Sequence, residues 1–311
     1  MGQRFASSVV GRAVAVISCL ALGTGPACRR GARQERGQEG QPGELARTVE
    51  SLRGTGAEAV QIGRTIVSVW RPSSSAPAPL VVFSHGFHGA STQSSFLMRA
   101  LAADGYLVIA PNHRDAVAGG LARLLEPPEA GFTRPDAWSD STYRDRADDI
   151  RSLLDALKAD ERWSVAIDWS RVALVGHSLG GYTVIGLAGG WPAWKLPDVK
   201  AVVALSPYAE PFVDHRTLGG LGIPVMYQGG SRDMGISPGL RRPGGAYDAT
   251  SAPACYVEFR DAGHMAWTDL IPRHQASIEY YCLAFLDTHL EREWRADPAR
   301  RLSDVADLRV K

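Results

Sequence analysis

Several features that would point to metal, nucleic-acid or membrane-spanning chemistry are missing from this 311-residue sequence. It has four cysteines, no HExxH and no close Cys/His ligand pattern, so neither a metal nor an organic cofactor is expected. Its 34 Lys and Arg balance 33 Asp and Glu to a net charge of +1, which supplies no field for nucleic acid or another polyanion. The one clear apolar run near the start, Ala13–Leu22, is short of the ~20 residues of a comfortable transmembrane helix. No internal repeat is visible. What is abundant is glycine (33) and proline (19), which predicts many tight connections, beside enough aliphatic and aromatic residues for a sizeable core.

The first 56 residues differ from the rest. Arg4 and Arg12, the apolar run, and then Gly23–Thr24–Gly25–Pro26–Ala27–Cys28 read as the three regions of a bacterial-type export signal over residues 1–28. Cys28 after Ala27 fits a lipid attachment site, although Gly25 departs from the usual leucine. Residues 29–56 are rich in Gly, Gln, Glu and Arg and predict a flexible linker. The protein is therefore expected to be periplasmic, secreted or anchored at the cell envelope. Export would leave Cys255 and Cys282, at the start of a predicted strand and in the last helix, as either a disulfide or two free buried thiols.

From residue 57 to 295 strand and helix patterns alternate. Arg64–Trp70 alternates like an exposed-edge strand, and Leu80–Ser84 reads as a buried parallel strand. Further strands are predicted at Leu107–Ala110, Val172–Val175, Ala201–Leu205, Val225–Gln228 and Tyr256–Phe259. Helices are predicted at Ser95–Ala103, Tyr143–Lys158 and Ile271–Leu290, the second with Ile150, Leu153, Leu154 and Leu157 on one face. This order implies an α/β fold with a mostly parallel sheet of about eight strands and helices on both faces, followed by a polar tail over residues 296–311.

Ligands in such sheets bind beyond the carboxyl ends of the strands, and the chemistry-bearing residues of this chain follow strands. Val172–Val175 runs into Gly176–His177–Ser178–Leu179–Gly180 and a helix-compatible stretch, the context of a serine held on a strained strand-to-helix turn. Side chains at Gly176 or Gly180 would collide with the neighbouring elements. Nucleophilic attack by Ser178 needs a base, an acid to orient it, and donors for an oxyanion. Asp233 follows strand Val225–Gln228 and His264 follows strand Tyr256–Phe259, each in the next suitable loop; Asp261 and Asp248 are the competing carboxylates. The other histidines lie before Asp233 or in poorer positions. Oxyanion donors are expected from the backbone N–H groups of Leu179 and of Phe87, in His85–Gly86–Phe87–His88–Gly89.

These motifs, with Pro111–Asn112–His113–Arg114–Asp115 and the ending Tyr280–Tyr281–Cys282–Leu283–Ala284–Phe285–Leu286, resemble the serine α/β hydrolases. The likeness is to the dienelactone-hydrolase-like and platelet-activating-factor-acetylhydrolase-like group, with a layout similar to bacterial cutinase-type polyester hydrolases. It covers about Ile62 to Leu290. Dienelactone hydrolases proper use cysteine where this chain has Ser178, so the resemblance implies general carboxylic-ester hydrolysis rather than lactone specificity. It also implies that Tyr208, in Ser206–Pro207–Tyr208, is an aromatic substrate wall, with simple packing as the alternative. Phe87 and His177 are the other candidate substrate contacts, with local packing or hydrogen bonding the alternative for His177. His113–Arg114–Asp115 reads as a structural ion pair. Ala116–Ser141 reads as a cap over the pocket, and Trp191 and Trp194 as core or cleft residues.

The expected activity is carboxylic-ester hydrolysis through an acyl-enzyme, on a small or polymeric ester, with no nucleic-acid partner and membrane contact only through a lipid anchor. An acyltransferase or peptidase using the same three residues, or a binding protein on a hydrolase scaffold, stays open at this level.

Overall fold

The computed structural model describes residues 54–74, 76–117, 120–290 and 296–311. The expected export signal, Cys28 and nearly all of the expected linker lie outside them. The end of that linker is not free: Trp70 Nε1–H donates to the Thr55 carbonyl at 3.0 Å.

Among the described residues nine strands form one sheet: β1 (Glu58–Ile62), β2 (Thr65–Trp70), β3 (Ala78–Ser84), β4 (Leu107–Pro111), β5 (Ile167–His177), β6 (Val199–Leu205), β7 (Val225–Gly230), β8 (Ala254–Phe259) and β9 (Val305–Val310). Their order is β1-β2-β4-β3-β5-β6-β7-β8-β9. Strands β4, β3, β5, β6, β7 and β8 run parallel, while β1, β2 and β9 join antiparallel. The main helices are α1 (Ser95–Ala103), α2 (Arg144–Ala159), α3 (Leu179–Ile185) and α4 (Gln275–His289).

Strands covered on both faces need apolar residues at every position, and β3 is buried at all seven. Its side chains alternate between two cores. Leu80 and Val82 pack with Ile150, Leu153 and Tyr182 of α2 and α3, whereas Val81 and Phe83 pack with Leu97, Leu101, Ile278 and Phe285 of α1 and α4. α2 presents the expected stripe of Ile150, Leu153, Leu154 and Leu157.

Two expectations are corrected, and the alternative left open for the cysteines is decided. β2 is not an edge strand, because β1 pairs with it from Thr65 to Val69 and β4 flanks its other side; its last four residues are accordingly buried. The polar tail over residues 296–311 contains β9, which pairs antiparallel with β8 and buries Val305. Its alternating polar residues suit a strand with one solvated face, and with it the sheet of the described residues reaches nine strands, in keeping with the expected mostly parallel sheet of about eight. Cys255 and Cys282 are both free and buried. Cys282 Sγ instead accepts from Gln228 Nε2 at 3.3 Å, and burial pushes the Cys255 thiol up to about 12.

Among the described residues no helix is long and apolar enough to cross a membrane.

Candidate active site

Register across the sheet decides which loops meet. Ser84 lies beside Gly176 and Leu205 beside His177, so the loops after β3, β5 and β6 emerge together at the carboxyl end. At the β5–α3 turn Ser178 adopts φ 56° and ψ −116°, backbone that a non-glycine residue holds only when its surroundings force it. Ser178 N–H donates to the Leu205 carbonyl at 3.0 Å, and the Ser178 carbonyl accepts from Tyr208 N–H at 3.1 Å. The turn also depends on bare backbone. A Cβ on Gly176 would lie 2.2 Å from the Gly180 carbonyl oxygen, and one on Gly180 would lie 2.0 Å from that of Ser84.

The structure brings Ser178, His264 and Asp233 into one hydrogen-bonded line. Ser178 Oγ is 2.9 Å from His264 Nε2, and His264 Nδ1 is 3.0 Å from Asp233 Oδ2. Asp233 is buried, while the His264 side chain keeps 20% of its surface exposed. The competing carboxylate Asp261 pairs with Arg232 at 3.0 Å instead, and Asp248 accepts from Gly244 N–H at 3.1 Å.

Sequence reasoning missed Ser206. Its hydroxyl donates to Asp233 Oδ2 and lies 3.0 Å from His264 Nδ1, so the Nδ1 hydrogen is shared between carboxylate and hydroxyl. Ser206 directly follows β6, and its place at a strand's carboxyl end was the available signal. Gln93 was also missed, and nothing in the local pattern singles it out.

His177 does not line an open cleft; it is buried with both ring nitrogens engaged. Gln93 Nε2–H donates to its Nδ1 at 3.0 Å, and its Nε2–H donates to the His264 carbonyl at 2.9 Å. Gly86 N–H closes the chain on Gln93 Oε1 at 3.0 Å. Burial, reinforced by the nearby His264 ring, holds the His177 pKa down to about 3. The ring stays neutral and ties the His264 loop to the loop after β3.

That second loop carries Phe87. A Cβ on Gly86 would sit 3.4 Å from the Ser178 Cβ, which places the Gly86–Phe87 peptide beside the serine. Behind it is a buried polar network. Arg146 of α2 bonds Asp115 through Nε and Nη2 at 3.0 and 2.9 Å, and His113 Nδ1 reaches Asp149 at 2.9 Å. Burial opposes ionisation of Asp115, but the Arg146 guanidinium outweighs it and holds the carboxyl well below the usual carboxylate range. Arg114, the expected local partner of Asp115, pairs with Asp145 on the surface.

Tyr208 is buried, so it is not an open wall. Its hydroxyl donates to the Phe132 carbonyl at 2.7 Å, and its ring meets Phe132 edge-on with centroids 5.0 Å apart. Phe132 in turn meets Phe87 at 6.1 Å. The expected cap therefore reaches down between the two aromatic positions beside Ser178. It is pinned where Trp194 Nε1–H donates to the Asp140 carbonyl and His215 Nε2 to the Trp138 carbonyl, both at 2.8 Å. Trp191 and Trp194 belong to the core. Among the described residues no group of three or more His, Cys, Asp or Glu is placed to hold a metal ion.

Comparison with known proteins agrees with this layout. Cutinase 2 of Thermobifida cellulosilytica is 24% identical over 201 residues, 64% of this chain and 65% of its own length. Cutinase est1 of Thermobifida alba is 24% identical over 251 residues, 78% of this chain and 73% of its own. Chlorophyllase-1 of Arabidopsis thaliana is 29% identical over 145 residues, 46% of this chain and 39% of its own. The match thus spans just under two thirds of the first of these relatives. A family model described as the alpha/beta hydrolase family matches residues 81–309, and with these strand-end loops around Ser178, the chain belongs to that family.

Proposed function

We propose that this protein is a carboxylic-ester hydrolase that works through an acyl-enzyme on Ser178. The observation that carries this reading is the unbroken line from Ser178 Oγ through His264 to Asp233. His264 Nε2 takes the hydroxyl proton as Oγ bonds to the ester carbon, and the carbonyl becomes an oxyanion facing the N–H groups of Phe87 and Leu179. The C–O bond to the alcohol then breaks, and His264 returns the proton to the leaving oxygen. Water repeats the sequence, releasing the acid and restoring Ser178. Asp233 keeps the His264 hydrogen on Nδ1 and stabilises the imidazolium. Small or polymeric esters are the substrates on this reading, and export through residues 1–28 would place the activity outside the cytoplasm.

Hydrolysis of p-nitrophenyl esters from acetate to decanoate by wild type and Ser178→Ala tests it. Activity is expected to fall by about 10⁴-fold or more in the variant. Equal rates in both proteins, or none in wild type, would sink the reading.

A further inference from the structure

The chemistry above relies on the Gly86–Phe87 peptide presenting its N–H to the oxyanion, and it leaves one buried cation unused. Arg146 is fully buried, a costly place for a guanidinium unless its donors are matched. Beyond Asp115 and a longer 3.4 Å contact from Nη1 to Ser84 Oγ, its donors turn to backbone: Nη1 to the His85 carbonyl at 2.8 Å and Nη2 to the Gly86 carbonyl at 3.1 Å. The Gly86 carbonyl also accepts from His85 Nδ1–H at 2.7 Å and Gly89 N–H at 3.0 Å. It therefore receives more donors than its two lone pairs accommodate singly. The peptide is planar, so holding its oxygen fixes the direction of the Phe87 N–H on the opposite edge. Donors on the oxygen also draw density from the nitrogen, strengthening that N–H by roughly 10–30% per bond.

We propose that Arg146 is a positioning residue for the oxyanion hole, holding and polarising the Gly86–Phe87 peptide through the Gly86 carbonyl so that the Phe87 N–H meets the developing charge. This deepens the ester-hydrolase reading and rests on it. Asp115 orients Arg146 and also accepts from His88 N–H at 3.2 Å, so the ion pair grips the loop on both sides of Phe87. An N–H tuned in this way favours the anionic intermediate over the neutral ester carbonyl, which is a gain in kcat rather than in substrate binding.

The test compares wild type with Arg146→Met and Arg146→Lys in the full chain. Sites are counted by fluorophosphonate labelling carried to completion, so that misfolded molecules drop out. In Arg146→Met, kcat per labelled site on p-nitrophenyl butyrate should fall about 10- to 100-fold, less than the loss of a donor outright. KM should stay within about twofold. An aliphatic trifluoromethyl ketone, whose carbonyl carbon takes Ser178 Oγ to give a hemiketal oxyanion, should show Ki raised by the factor by which kcat/KM falls. Arg146→Lys should recover part of the loss, since it keeps the charge without the fork. If Arg146→Met yields too few labelled sites, the same paired shift on a smaller scale in Arg146→Lys decides the matter. Unchanged kcat per site, or a kcat loss with unchanged ketone Ki, overturns the proposal. A wild type that neither labels nor hydrolyses esters overturns the ester-hydrolase reading itself, and this proposal with it.

Discussion

His264 Nδ1 lies 3.0 Å from both Asp233 Oδ2 and Ser206 Oγ, which share its hydrogen, and Ser206 donates to that same carboxylate oxygen. Hydrogen bonds to charged groups contribute about 1.5–3 kcal/mol. Ser206→Ala should therefore lower kcat by about 10-fold or more with KM nearly unchanged. Steady-state kinetics checks this, and an unchanged kcat would make the hydroxyl a bystander. Residues of this kind show how far the site was legible. Ser178 could be read because its glycines and its strand are adjacent in sequence. Gln93, 84 positions from His177, could not, because nothing local marks a glutamine as a partner. Arg146 left a trace: it sits four positions before Ile150 on the apolar stripe of α2, where a charge needs a buried partner.

Among the elements, the 116–141 segment places Phe132 against Phe87 and Tyr208, two of the candidate substrate contacts beside Ser178. Phe132 bridges Phe87 and Tyr208, so its removal opens the space between them. Phe132→Ala is expected to move the best p-nitrophenyl substrate to a longer acyl chain, while costing roughly 1–3 kcal/mol of stability for a partly buried ring. The acetate-to-decanoate series checks this, and an unchanged profile would mean that the acyl group lies elsewhere. β9 is the other decisive element. Ending the chain at Leu302 would strip β8 of its partner over Cys255–Phe259 and remove Val305 from the core. Such an open edge invites association. Lower thermal stability and increased light scattering are expected, and a truncated protein as stable as the full chain would refute this. The strands from β3 to β8 were readable because each is a short apolar run bounded by turn residues. β9 was not, because six half-polar residues gain strand character only beside β8.

For the molecule as a whole, the buried histidines set the response to acid. Burial holds His85 and His113 well below the ordinary value, aided by the Arg146 charge, and His177 down to about 3. In the unfolded chain each takes a proton near pH 6.5, whereas the folded protein resists, so stability is full above that pH and lost as pH falls below it. Three such groups set an upper slope of about 4 kcal/mol per pH unit. Asp149, pushed up to about 6 by burial, takes up a proton in the folded state and offsets part of that loss. The urea midpoint is expected to drop between pH 7 and pH 5, and a flat profile would show that these rings charge in place. The sequence by itself determined the alternation of strands and helices, the carboxyl-end loops and the turn at Ser178, because these follow from patterns a few residues long. The tertiary structure alone decided that Ser206 joins the expected Asp233 and His264 beside Ser178, that Arg146 grips the loop before Phe87, and that Cys255 and Cys282 stay unjoined. Such partnerships depend on sheet register and on which face of a strand each side chain takes, and neither is written in local spacing.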